Sequence, residues 1–156
     1  MGDIKVSIIC NAYNHGQYIS MALDGFVMQK TNFEYEILVH DDASKDNTAE
    51  IIQEYMEKYP KLIKPIFQKK NQYSCGVSIS NKFQIPRAQG KYIALCEGDD
   101  YWIDENKLQK QFDILETHPE IDICAHGAKK VNFKNNKTNL ITPALENCVL
   151  PVENVI

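Results

Sequence analysis

Three carboxylates crowd one short stretch, YIALCEGDDYW at residues 92–102: Glu97, Asp99 and Asp100, with Gly98 between them. Like charges this close repel one another and cost desolvation energy. Sharing a hard cation relieves both, and Mg²⁺ or Mn²⁺ suits such oxygens while keeping positions open for phosphate. A cation held there would neutralise charge growing on a diphosphate leaving group. Gly98 would let the backbone bend closely around such a ligand. Alone, E-x-D-D is a weak signal, because acidic turns and helix caps are common.

What must position these acids is read from hydrophobic periodicity. IKVSIIC (residues 4–10) is a strand that ends in the turn-forming cluster NAYNHGQ. Residues 17–29 carry Ile19, Ala22, Leu23, Phe26 and Val27 at helical spacing. EILVH (36–40) is a second strand running into Asp41 and Asp42. A helix follows, with Asn47 and Glu50 at capping-box spacing and Ile51, Ile52, Tyr55 and Met56 as its buried stripe. IKPIF (63–67) is a third strand, at an edge because Pro65 lacks a donor.

A helical segment over residues 77–88, interrupted by Pro86 and closed by Gly90, leads to a fourth, buried strand at 91–97. Asp104 caps a helix that runs to Thr117, and residues 121–127 form a fifth strand. After Gly127 the pattern fades, with one strand near residues 131–133. This alternation predicts an α/β fold, a mainly parallel sheet with helices on both faces. Ligands of such sheets lie beyond the carboxyl ends of the strands. Asn11 to Asn14, Asp41 with Asp42, and Glu97 to Asp100 therefore converge on one rim.

The bulk numbers agree with a folded domain and exclude several classes. The chain has 156 residues, 44% hydrophobic and 24% charged, enough to bury roughly 70% of its unfolded surface. A net charge of −4 leaves no basic field for nucleic acid. Cys10, Cys75, Cys96, Cys124 and Cys148 are odd in number and lack metal spacing, which reads as reduced thiols in a cytoplasmic setting. MGDIKVSIIC is not patterned as a secretory leader, and no apolar run reaches the about 18 residues of a membrane helix.

Three pieces, VSIICNAYN, ILVHDDASKDNT and GKYIALCEGDDYW, occur in this order. Together they resemble the N-terminal half of family 2 glycosyltransferases, nucleotide-sugar enzymes with a Rossmann-like GT-A-type domain. That family reads roughly V-S-x-I-I-P-x-Y-N, V-D-D-x-S-x-D-x-T and G-x-Y-I-x-x-x-D-x-D-D. The resemblance spans residues 4 to 127 and implies a nucleotide-sugar-binding domain over residues 1–127. Residues 128–156 would begin a truncated acceptor-side half.

The resemblance implies roles residue by residue. Asn11 and Tyr13 match the end of the first strand, where the nucleotide is held and Tyr13 can stack on the base. Asp42 matches the acid that accepts a hydrogen bond from the pyrimidine, while Asp41 braces the loop, although the two could exchange roles. Glu97, Asp99 and Asp100 match the metal motif, with Asp99 and Asp100 foremost at the metal and ribose-diphosphate. Position 97 departs from the commoner Asp by one methylene, and Cys10 stands where the family has Pro.

The activity implied is inverting transfer of a sugar, from a UDP-sugar more than a GDP-sugar, to a saccharide or lipid-linked acceptor. Its setting would be polysaccharide or glycoconjugate synthesis in the cytoplasm, with peripheral association of the parent enzyme at the inner membrane face. Such a transfer needs a general base, which the family places after the metal motif. Glu146 and Glu153 are the only acids after Asp122 and sit in no motif, so the base is expected beyond Ile156.

Other residues have plainer readings beside the functional one. Asp46, Asn47 and Thr48 suit a helix cap, His15 and His40 structural or solvated histidines, and Lys69, Lys70 and Lys82 a surface. Tyr101 and Trp102 suit core packing as well as an acceptor pocket. A phospho-receiver domain fails on the order of its acids, and the phosphate-loop and dinucleotide glycine motifs are missing. A non-catalytic nucleotide-sugar-binding module stays open as the rival.

Overall fold

The computed structural model describes residues 3–132 and 137–141. Four strands, β1 (Ile4–Ala12), β2 (Glu34–Asp41), β3 (Ile63–Phe67) and β4 (Tyr92–Leu95), form one parallel sheet in the order β3-β2-β1-β4. Helix α1 (Ile19–Val27) joins β1 to β2, and α2 (Thr48–Lys58) joins β2 to β3. Both steps move outward in one direction, whereas the connection from β3 returns across the sheet to β4. With right-handed crossovers, that reversal puts α1 and α2 on one face and the returning segment on the other. The reversal also opens a crevice beyond the carboxyl ends of β1 and β4.

The core follows the apolar runs. Ile8, Ile9, Cys10, Ile37, Leu38 and Val39 are fully buried, as expected of central strands covered on both faces. Ile19, Leu23, Phe26 and Ile52 supply the apolar stripes of α1 and α2. Trp102 packs edge-on against Phe26 at 4.9 Å with Lys107 Nζ 4.0 Å over its ring, which settles its role as core packing. Pro65 pairs with Val39 on the edge strand β3, as its missing donor demands.

Several boundaries depart from the expected ones. The segment expected as a helix over 77–88 is a π-helical turn, Ser80–Gln84, followed by a 3₁₀ turn, Ile85–Arg87. Side chains rather than a regular helix fasten it. Gln84 donates to the carbonyls of Cys10 (3.1 Å) and Leu38 (3.0 Å), and Arg87 donates to those of Lys64 (2.9 Å) and Val39 (3.1 Å). Gly90 does not close a helix, since Ala88 is already extended. A β-carbon on Gly90 would lie 2.5 Å from the Ser7 nitrogen, so this glycine permits close approach to β1.

The α2 cap is also different from the expected box. Asn47 makes no side-chain cap bond. Asp46 accepts from the Thr48 amide (3.1 Å) and from its hydroxyl instead. Helix α3 spans Lys107–Thr117. Asp104 forms a turn ahead of it, accepting from the Asn106 amide at 2.9 Å, and buried Gln29 caps it by accepting from Leu108 N at 3.0 Å. This long-range cap has no local signature.

Strand β4 is not a buried strand throughout. It pairs with β1 alone among the described residues, and Ile93 and Leu95 are 41% and 68% exposed. Residues 121–127 form no strand, because the pairing falls later. β5 (Ala128–Asn132) and β6 (Lys137–Ile141) make a separate antiparallel hairpin. Of the strand expected near residues 131–133, Phe133 lies outside the described residues, as do Cys148, Glu146 and Glu153. The chain divides into two compact units, residues 1–110 and 111–156, with the boundary inside α3.

Candidate functional site

The rim is built where β1, β2 and β4 end. The β1 exit is zipped to the β2 exit by short-range polar bonds. Asn14 N donates to Ser44 Oγ (2.9 Å), Lys45 N to Asn14 Oδ1 (2.8 Å), and Gly16 N to Asp46 Oδ2 (3.0 Å). Asn14 and Ala43 hold positive φ angles of 56° and 62° within these loops. For Ala43 that backbone is uncommon and stores strain, a frequent feature of functional loops. The helix-cap acid Asp46 therefore has a second task, holding the loop that carries His15.

Asp41 and Asp42 are both buried, yet their partners differ. Asp42 spends one bond per carboxylate oxygen on the next loop, accepting from Gln72 N at 2.7 Å and Tyr73 N at 2.9 Å. Its carbonyl also accepts from Asn71 Nδ2 at 3.1 Å. Two lone-pair positions remain for an incoming donor. Asp41 accepts from Ser44 N at 3.2 Å through Oδ2, while its buried Oδ1 has no hydrogen-bond partner. Bracing of a loop is thus shared between the two acids.

Behind them His40 is fully buried on Phe83, ring centroids 5.0 Å apart, with neither ring nitrogen hydrogen-bonded. Burial holds its pKa below the usual histidine value, against the pull of Asp42 at 3.7 Å. It is a core histidine, the plainer of its two readings.

Two clefts adjoin along this rim and share Tyr13, Asn71 and Tyr73. The larger, about 1000 Å³, lies over the β2 and β3 ends and is also lined by Asp41, Phe67, Lys69 and Lys70. The smaller, about 380 Å³, lies over the β1 end and is also lined by Asn11, His15, Asp42, Ser80 and Glu97. Tyr13 is exposed at the mouth of both. Lys82 is elsewhere, 5.3 Å from the Phe83 ring, and Tyr101 is exposed.

The acid knot begins where β4 stops. Gly98 N donates to Asn11 O at 2.9 Å, continuing the β1–β4 pairing past the end of the strand. Asp100 N donates to Glu97 O at 3.1 Å, turning the chain. Asn11 Nδ2 donates to Ser80 Oγ (3.1 Å) and reaches Glu97 Oε1 at 3.4 Å. Desolvation pushes the Glu97 carboxyl above its usual pKa, and Asp99 and Asp100 push it further, against the pull of Asn11 and His15. Burial, with Asp100, Glu97 and Asp99 adding to it, raises the nearby Cys96 thiol to about 12. Cys10 and Cys96 are therefore inert packing thiols.

Gly98 is buried, and its bareness serves packing rather than a ligand. A β-carbon there would lie 2.8 Å from His15 Nδ1, 3.0 Å from Ile19 Cδ1 and 3.1 Å from Ala12 Cβ. Among the described residues no three His, Cys, Asp or Glu side chains converge in a metal-holding group. Glu97, Asp99 and Asp100 are exposed hard-oxygen donors that do not close a cage. That arrangement fits a Mg²⁺ or Mn²⁺ ion taking one or two carboxylates and completing its shell with water and phosphate.

A parallel α/β sheet with an acidic, aromatic-edged rim at its switch point defines a nucleotide-binding domain of the GT-A kind. The chain belongs to glycosyl transferase family 2, whose model matches residues 7–149. An uncharacterized protein of Mycobacterium tuberculosis, Rv1520, is 45% identical over 88% of this chain and 39% of its own length. The Escherichia coli UDP-Glc:alpha-D-GlcNAc-diphosphoundecaprenol beta-1,3-glucosyltransferase WfgD is 34% identical over 74% of the chain and 42% of its own. Staphylococcus aureus TarS 1-349 in complex with UDP-GlcNAc superposes with a TM-score of 0.63 at 28% identity, over 74% of this chain and 32% of that one. The chain spans about two-fifths of the length of these curated relatives.

Proposed function

We propose that this chain is the donor-binding half of a glycosyltransferase that moves a sugar from a UDP-sugar to an acceptor hydroxyl with inversion. The observation that carries this reading is the pair of adjoining clefts at the sheet's switch point, one edged by aromatic rings and lysines, the other by carboxylates. A flat base fits where the two clefts meet, with Tyr13, which lines both, as its stacking surface and the free positions of Asp42, on the wall of the smaller cleft, as acceptors for a ring N–H. The diphosphate then extends past Asn11 toward Asp99. UDP in the TarS complex and in the name of WfgD supports uridine as the nucleoside.

A divalent cation, Mn²⁺ or Mg²⁺, would be held by Asp99 and Asp100 with Glu97 beside them, and supplies charge neutralisation to the leaving diphosphate. The chain's own residues do the remaining work here. Asn11 holds Glu97 in place, and the Asp42 bonds keep the loop of Asn71 to Tyr73 against the base cleft. The acceptor would be a saccharide or a lipid-linked one in polysaccharide or glycoconjugate synthesis, with the whole enzyme at the cytoplasmic membrane face. No described helix is long and apolar enough to cross a membrane.

Calorimetric titration with UDP and Mn²⁺ tests the donor site, and no binding by folded protein would reject it. A non-catalytic nucleotide-sugar-binding module is the second reading, favoured by one observation: Glu146 and Glu153, the acids that follow Asp122, sit in no recognisable motif for a base. Sugar transfer by the full-length enzyme separates the two.

A further inference from the structure

The smaller cleft poses a charge problem. Glu97 and Asp42 line it, and none of its lining residues is Lys or Arg. A diphosphate entering there meets carboxylates, and one cation shared with Asp99 and Asp100 cannot satisfy every phosphate oxygen. Of the side chains that line it, His15 alone is an aromatic nitrogen base able to present an N–H.

His15 is held firmly for such a task. Its carbonyl accepts from Tyr18 N and Ile19 N, both at 2.8 Å, at the start of α1. The next residue, Gly16, is tied to Asp46. Ring Nδ1 is buried without a hydrogen-bond partner, sealed against the bare Cα of Gly98. A proton there would be a buried donor with no acceptor, whereas a ring carrying its proton on Nε2 avoids that cost. That nitrogen is the polar group left to the cleft.

We propose that His15 is a further donor-binding residue, giving an Nε2–H hydrogen bond to an oxygen of the nucleotide's diphosphate. The proposal rests on the nucleotide reading above and adds the residue that recognises phosphate without a metal. It also explains why Gly98 stands between the acids. Any larger residue would push His15 out of the cleft it lines.

The test compares UDP with uridine by calorimetry, with and without EDTA, on the whole chain. Wild type should bind UDP more tightly than uridine. His15→Ala and His15→Phe should weaken UDP roughly tenfold or more, as expected for a hydrogen bond to a charged group, and leave uridine within about twofold. His15→Gln, which keeps an N–H near the same place, should recover part of the loss. An unchanged UDP-to-uridine ratio in folded variants overturns the proposal, whether both affinities hold or both fall together. If both variants fail to fold, the wild-type imidazole ¹⁵N–¹H resonances decide. Movement with UDP but not with uridine supports the contact, and equal responses overturn it. Wild type that binds neither ligand overturns the nucleotide reading itself, a result distinct from a failure at His15 alone.

Discussion

Asn11 on β1 and Glu97 beyond β4 are 86 residues apart in sequence and meet at 3.4 Å across the switch point of the sheet. The contact places a carboxyl of raised pKa at the mouth of a cleft, beside two further acids. Repulsion in this group is tolerable because the acids are exposed, and a shared cation would lower it.

Asp99→Asn should remove the Mn²⁺-dependent part of UDP affinity, while Glu54→Gln, exposed on α2, should leave it intact. Calorimetry with and without EDTA measures that increment. Equal increments in the two variants would show that Asp99 holds no metal.

Ligand binding should stabilise the fold by mass action, about 2.7 kcal/mol at a hundred times the dissociation constant. Tm should rise most with Mn²⁺ and UDP together and less with either alone. Identical melting with and without saturating ligands would reduce the acids to a solvated turn.

Gly98→Ala should destabilise by about 1–3 kcal/mol, since its β-carbon meets Ile19 and Ala12 as well as His15. Gly76→Ala meets no neighbour within 4 Å and has only its positive φ of 76° against it, a cost of about 1 kcal/mol. Urea unfolding of both variants should rank them in that order; the reverse order would contradict the packing at Gly98.

Glu36 should make stability acid-sensitive. Burial raises its pKa, but bonds from Lys64 Nζ (2.6 Å), Ser7 Oγ (2.7 Å) and Gln89 N (2.8 Å) outweigh that and hold it below 4.5. A depressed carboxylate pKa contributes stability above the unfolded value, lost as pH falls through the folded one. Glu36→Gln should therefore cost about 3 kcal/mol at neutral pH, and the gap to wild type should close below pH 4.5. A gap independent of pH would exclude the charged network.

His40 should act on the same side of the scale. Its folded pKa is lowered from 6.5 by burial first, with Arg87 adding to the effect and Asp42 and Asp41 opposing it. Protonation opposes folding, so stability is complete above about pH 6.5 and falls as pH drops through the folded value. His40→Leu should flatten the wild-type loss of urea midpoint between neutral pH and pH 5, and an unchanged slope would mean that another group carries it.

The four strands of the parallel sheet, their order in the chain and the convergence of Asn11, Asp42 and Glu97 on one rim were legible in the residues, because alternation of short apolar runs with amphipathic helices is a local signal. So were Pro65 at the edge and the capping role of the 46–48 stretch, since each follows from a missing donor or a nearby acceptor. Tertiary structure decided what depends on partners distant in sequence. Residues 121–127 are apolar enough for a strand, yet the hairpin pairs 128 onward, because pairing energy lies in the ladder and not in composition. The 77–88 segment gave up a regular helix for Gln84 and Arg87 bonds to three strands. Asp42 was drawn to the amides of Gln72 and Tyr73, a loop thirty residues on. His15, one histidine in a turn by sequence, became the donor facing a cleft only because Gly98 arrives bare-sided against its Nδ1. Periodicity specifies which residues are buried; which polar atom is left without a partner is settled by packing across the whole fold.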